Sequence, residues 1–269
     1  MSLSISGKTA IVTGAAHGIG LAVARHFLDR GAQVMFADID EDKLASELGD
    51  SAKSEGPARY FAGDLCQKLT VKNLLSATVD AFDRIDILVN TARGFAPCDP
   101  LDPSTAVLDD MLSKNMKSSL RISQMTAKRM IKQAEDEGRE EGEIGSIVNV
   151  SSLASNITQP GLMAYSIACA AQDQSIRSLA VALAPHRIRV NGVSFGSVMS
   201  RSLQDALKEN EDWREAICAG TPLGRIAPPS ELAETVQYLA SSGASFVTGQ
   251  IIKIDGGRSL LDRVQVPAF

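Results

Sequence analysis

The chain has only four cysteines, Cys66, Cys98, Cys169 and Cys218, and no two of them form a C-x-x-C pair. Histidines number three. The ligand spacing of a zinc site and the density of a disulfide framework are therefore both missing, and no metal is expected. Scattered free thiols point to a reduced, cytoplasmic setting. No apolar run reaches the length of a membrane span, and no charged segment followed by an apolar stretch opens the chain. Neither a membrane partner nor a secretory signal is expected. The net charge of −5 gives no electrostatic reason to expect nucleic acid. Internal repeats and an interdomain linker are absent too. What remains is a chain of 269 residues and 44% hydrophobic content, read as one domain over 1–269.

Glycine is present where it carries information. The stretch Thr13-Gly14-Ala15-Ala16-His17-Gly18-Ile19-Gly20 follows the apolar run Thr9-Ala10-Ile11-Val12 and leads into an amphipathic pattern from Leu21. That order predicts a buried strand, a glycine turn and a helix. Without a Cβ, the turn lets a ligand approach the backbone, and the helix N-terminus offers free N–H groups to a pyrophosphate. Gly14, His17, Gly18, Ile19 and Gly20 are the candidate residues. Asp38 closes the next apolar run, Gln33 to Ala37. An acid about 20 residues past the glycines is placed to bind the adenosine ribose hydroxyls and to repel a 2′-phosphate, so NAD(H) is expected over NADP(H). The competing reading makes Asp38 a cap for a helix that starts near Glu41-Asp42-Lys43.

Strand-like runs then alternate with helical patterns nearly to the end. Strands are expected at 58–62, 85–90, 144–150, 188–193 and 251–255. Helices are expected at about 70–82, 104–137 and 161–184, the last ended by Pro185. Such alternation means a parallel sheet with helices on both faces, a doubly wound α/β fold that binds ligands beyond the carboxyl ends of its strands. Those ends carry Gly14, Asp38, Asp64, Asn90, Ser151-Ser152 and Ser194. The acidic stretch 135–143 reads as a solvated surface excursion.

Taken in order, these pieces resemble the short-chain dehydrogenase/reductase family over nearly the full length. The resemblance rests on Thr13 to Gly20, Asp38, Asp64-Leu65, Asp86 to Asn90, Asn115, Ile147 to Ser152, Tyr165 and Arg189-Val190-Asn191. It continues through Pro222-Leu223-Gly224-Arg225, Thr248-Gly249-Gln250 and Asp255-Gly256-Gly257. It implies a three-layer Rossmann fold with a seven-stranded parallel sheet. The implied reaction is hydride transfer between a nicotinamide and a carbonyl or secondary alcohol carbon. The implied acid/base is Tyr165, the implied oxygen-positioning donor is Ser152, and Asn115 supports a proton relay. Asp64, Leu65, Asn90 and Val198 join the cofactor residues. A homotetramer or homodimer is also implied, with a substrate lid at about 195–220 that contains Trp213.

The family's lysine, four residues after the tyrosine, is missing; Cys169 stands there. A thiol is too short to reach a ribose and is mostly neutral at pH 7, so it supplies no fixed charge. Three other departures cluster in the same motifs. Asn90-Thr91-Ala92-Arg93 replaces Asn-Asn-Ala-Gly, Phe195-Gly196 replaces Pro-Gly, and Ser155 replaces a glycine. Three readings of Arg93 stand open: it replaces the lost charge, it obstructs the cofactor, or it points to solvent. Two functions follow. One is an NAD(H)-dependent oxidoreductase, slow or with an alkaline optimum. The other is a dinucleotide-binding protein without turnover, working as a regulator or as a scaffold subunit of a mixed oligomer.

Overall fold

A computed structural model describes residues 2–49, 56–210 and 212–262. Seven strands form one sheet: β1 (Thr9–Thr13), β2 (Gln33–Asp38), β3 (Ala58–Ala62), β4 (Ile87–Asn90), β5 (Gly145–Ser152), β6 (Ile188–Phe195) and β7 (Ile251–Ile254). All pair in parallel, in the order β3-β2-β1-β4-β5-β6-β7. The order reverses beside β1, where β4 pairs with it, and a crevice opens there at the carboxyl ends.

Alternation along each strand explains the three layers. In β1, Ala10 and Val12 enter one apolar cluster and Ile11 the other. In β2, Val34 and Phe36 part from Met35 and Ala37 in the same way. One face is covered by α1 (Gly18–Asp29) and α9 (Pro229–Ala240). The other is covered by α3 (Lys68–Phe82), α5 (Ser118–Asp136) and α6 (Met163–Leu183). Because both faces are buried, the strands read as near-continuous apolar runs. The motif around Arg189 serves the frame. Its guanidinium forks onto Glu143 at 2.7 and 2.9 Å and also donates to the carbonyls of Leu239 and Ser241.

Several boundaries move from those expected. β5 and β6 extend to Ser152 and Phe195, while β4 begins only at Ile87 and β7 ends at Ile254. The helix expected over 104–137 begins at Ala106 as α4 (Ala106–Met111) and passes through a π-helical turn, Leu112–Lys117, before becoming α5. Periodicity did not reveal that extra-wide turn, since one inserted residue barely disturbs a 3.6-residue repeat. The helix expected over 161–184 is α6, preceded by a 3₁₀ turn, Pro160–Leu162. Asp40, not Asp38, caps α2 (Glu41–Leu48): its carboxylate accepts from the Lys43 N–H. By its sequence the tail 260–269 is apolar enough to pack on a neighbour or over its own pocket, and its residues 263–269 lie outside the described ones. No helix among the described residues is long and apolar enough to cross a membrane.

Candidate active site

A cleft of about 560 Å³ opens along the carboxyl ends of β1, β2 and β4. Gly14, His17, Gly18, Ile19 and Gly20 line one end of it, with Asp38, Asp64 and Leu65 beside them. Gly14 and Gly18 take φ of 65° and 52°, a left-handed backbone that favours glycine. A Cβ on Gly20 would lie 2.1 Å from the Gly14 carbonyl oxygen, so only glycine lets α1 pack this tightly on the turn. His17 precedes α1 with extended backbone and no side-chain cap, which leaves the first-turn N–H groups open to an anion. Its Nε2 lies 3.1 Å from the Asp40 carboxylate.

Asp38 is fixed by two backbone donors, Ala16 N–H at 3.0 Å and Asp40 N–H at 3.1 Å. Each carboxylate oxygen can still accept another bond. Asp64 accepts from the Cys66 N–H at 2.9 Å. Asn90 and Val198 stand behind the cleft wall and do not line it. The Asn90 amide donates to Ser123 Oγ and Asn149 Oδ1 inside the fold, and Val198 is a buried bridge partner of Ala227. The lining also includes residues that motif reading did not single out, among them Cys66, Lys114, Ser200 and Arg201. Ser200 caps α7 (Arg201–Glu209), and the Arg201 backbone stands over Gly18. No spacing rule could announce these, because α7 reaches the glycine turn only through the tertiary fold.

Tyr165, Ser152 and Asn115 converge on the loop after β4. Tyr165, on α6, is buried. The Ser152 hydroxyl, at the end of β5, acts on the phenol and favours its ionised form. Ser152 Oγ also accepts from the Ala154 N–H, which leaves its proton free to donate. Asn115, in the π turn, grips Gly94 in both directions: its Oδ1 accepts from Gly94 N–H at 2.7 Å and its Nδ2 donates to Gly94 O at 3.1 Å. The same loop is tied to β1, where the N–H groups of Thr91 and Ala92 both donate to Thr13 Oγ1.

Arg93, next to Gly94, turns inward. Its guanidinium lies 4.1 Å from the centre of the Phe195 ring, and Nη1 donates to the Ser151 carbonyl at 3.4 Å. The solvent reading of Arg93 is therefore set aside. Phe95 meets Tyr165 edge-on, with ring centres 5.3 Å apart. Burial pushes the Tyr165 phenol above its ordinary 10.0; Arg93 and Ser152 oppose this, and Cys169 adds to it. Burial likewise raises the Cys169 thiol from an ordinary 9.0 to about 11. Asp173, one turn further along α6, is buried and accepts from Ser151 Oγ at 2.5 Å. It escaped sequence reading, although a carboxylate eight residues after Tyr165 on the same helix face was a visible signal.

The raised thiol has a stability consequence. The folded state holds this proton to higher pH than the unfolded chain does. Its contribution is complete below pH 9 and is lost as pH rises through about 11. A two-unit displacement corresponds to about 2–3 kcal/mol. Urea midpoints measured from neutral to alkaline pH should therefore fall over that window, and Cys169→Ala should reduce the fall, the raised Tyr165 phenol supplying another part of it. An equally steep fall in the variant would show that the thiol is not its source.

The family model described as Enoyl-(Acyl carrier protein) reductase matches residues 14–259. A 3-oxoacyl-acyl-carrier-protein reductase of Thermotoga maritima is 32% identical over 255 residues, covering 95% of this chain and 99% of that protein. The L-fucose dehydrogenase of Mus musculus is 32% identical over 261 residues, covering 95% and 89%. Among solved structures, a 7α-hydroxysteroid dehydrogenase complexed with NADH and 7-oxo glycochenodeoxycholic acid superposes with a TM-score of 0.84 at 30% identity, covering 95% of each chain. The chain belongs to the short-chain dehydrogenase/reductase family of oxidoreductases.

Proposed function

We propose that this protein is an NAD(H)-dependent oxidoreductase acting on a carbonyl or secondary alcohol, with slow turnover at neutral pH. The observation that carries the reading is that Arg93 lines one cleft with the glycine turn and Asp38 and reaches the Ser151 carbonyl next to Ser152, while Arg93 and Ser152 both act on the buried Tyr165 phenol. The residues present fit a dinucleotide. Uncapped N–H groups at α1 suit a pyrophosphate, and Asp38 keeps acceptor capacity for ribose hydroxyls. Gly14, His17, Gly18, Ile19, Gly20, Asp64 and Leu65 would complete its seat, with Asn90 and Val198 supporting from behind. The bound nicotinamide would supply or accept the hydride. Tyr165 would exchange the hydroxyl proton, Ser152 would hold the substrate oxygen, and Asn115 would fix the loop beside them. The segment 195–220, with α7 and α8 (Trp213–Ala219), would act as the substrate lid.

Cys169 stands where the family's lysine is expected, and a buried neutral thiol lends the phenol no charge. Oxidation of an alcohol needs the phenolate and would be the slower direction at neutral pH. The same burial, with Phe95 set edge-on against Tyr165, favours a second reading: a cofactor-binding regulator without turnover.

Fluorescence titration with NADH and with NADPH tests the cofactor assignment. Saturable NADH binding is expected in the micromolar range, with NADPH much weaker because Asp38 repels a 2′-phosphate. Equal affinities would refute the role given to Asp38. Failure to bind either nucleotide would remove the enzyme reading.

A further inference from the structure

We propose that Arg93, held on a platform made by the Phe195 ring and the Ser151 carbonyl, supplies the positive charge of the proton-transfer site. The proposal rests on Tyr165 being the acid/base. Its first support is the way Arg93 is held. The ring lies under the guanidinium at 4.1 Å, and the Ser151 carbonyl takes Nη1 from one edge. The backbone is pinned on both sides, by Thr13 at Thr91 and Ala92 and by Asn115 at Gly94. A long side chain at a fixed root, laid flat on an aromatic face, loses little further freedom in presenting its charge.

The second support is that no described carboxylate takes up the charge. Among the described residues no carboxylate forms an ion pair with Arg93. Among the described residues its guanidinium makes one bond, at 3.4 Å, which leaves most of its five donors available to other groups. The third is that two departures from the family pattern touch each other. Arg93 replaces a glycine and Phe195 a proline, and they stack. Arg93 and the third departure, Cys169, both act on the Tyr165 phenol.

Among the described residues, few polar or aromatic groups act on Tyr165 and its neighbour Cys169. From the loop after β4 come Arg93 and Phe95, from β5 Ser152, and from α6 Cys169, with Asp173 behind the thiol. Arg93 is the cation among those acting on the phenol, and it acts against burial. It also acts on Cys169, so its field covers the place where a lysine would sit. Asn115 gains a role: by clamping Gly94 it positions Arg93.

The test reads tyrosine ionisation directly, without turnover. Only three tyrosines are present, so the near-ultraviolet tyrosinate signal of the full chain minus that of Tyr165→Phe isolates one group. Arg93→Met should raise the Tyr165 midpoint by about one pH unit or more, and Arg93→Lys should restore most of it. In a Cys169→Lys background, Arg93→Met should have a smaller effect, because two cations would then share one task. Melting temperatures confirm that each variant is folded. An unmoved midpoint in folded Arg93→Met overturns the proposal, as does a wild-type Tyr165 that stays neutral until alkaline unfolding. The two readings fail separately. If the midpoint follows Arg93 but Tyr165→Phe leaves turnover intact, the acid/base assignment falls and the electrostatic link stands. If Tyr165→Phe abolishes turnover but Arg93→Met moves neither the midpoint nor the pH profile of kcat, Arg93 alone loses its role.

Discussion

Replacing Tyr165 by Phe is expected to lower kcat by roughly 10²–10⁴-fold, the usual contribution of a positioned proton donor or acceptor, while leaving NADH affinity essentially unchanged. The substitution removes one oxygen from a buried ring. The ring's apolar neighbours, Ala164, Ala168 and Met111 among them, remain able to pack against it. Phe95 keeps its edge-on contact. Loss of the hydroxyl leaves Ser152 with its bond from Ala154 N–H. A drop in kcat with KM and melting temperature nearly constant would mark a role in the chemical step rather than in folding. Turnover at the wild-type rate would remove Tyr165 from the mechanism.

The second large effect is a gain. Cys169→Lys should raise turnover at neutral pH by about tenfold or more, since each ~1.4 kcal/mol of added phenolate stabilisation is a factor of ten. The alkaline-rising limb of the pH profile should move to lower pH, because a second cation opposes the burial that now holds the Tyr165 proton. The introduced ammonium would sit at a position only 2% exposed, so some stability is lost to desolvation and crowding. Asp173, four residues on along the same helix face, offsets part of that cost. Arg93, a like charge, works against the gain, which is why the increase should be larger when Arg93 is replaced as well. Kinetics across pH, beside melting curves, would decide the matter. No gain on any substrate, with NADH still bound, would favour the regulatory reading.

The glycine turn was legible because it depends on local backbone freedom. Gly14 and Gly18 occupy left-handed conformations, and Gly20 has no room for a Cβ. The parallel sheet was legible because strands buried on both faces must be apolar throughout. The boundaries at Ile87, Ser152 and Phe195 were not, since pairing with neighbours lengthens or shortens a strand regardless of its own pattern. The π turn at Asn115 was invisible for a similar reason: it is set by packing on α6 and by the grip on Gly94.

By itself the sequence determined the fold class, the place of the crevice and the absence of a lysine four residues after Tyr165. These follow from periodicity, backbone freedom and residue type, all of which are local. Where Arg93 points was decided by the tertiary structure alone. Its direction depends on Phe195, Ser151 and Asn115, brought from three distant segments to one sheet edge. The charge around Tyr165 is likewise a property of the assembled site, because burial, an approaching cation and a neighbouring thiol act through space rather than along the chain.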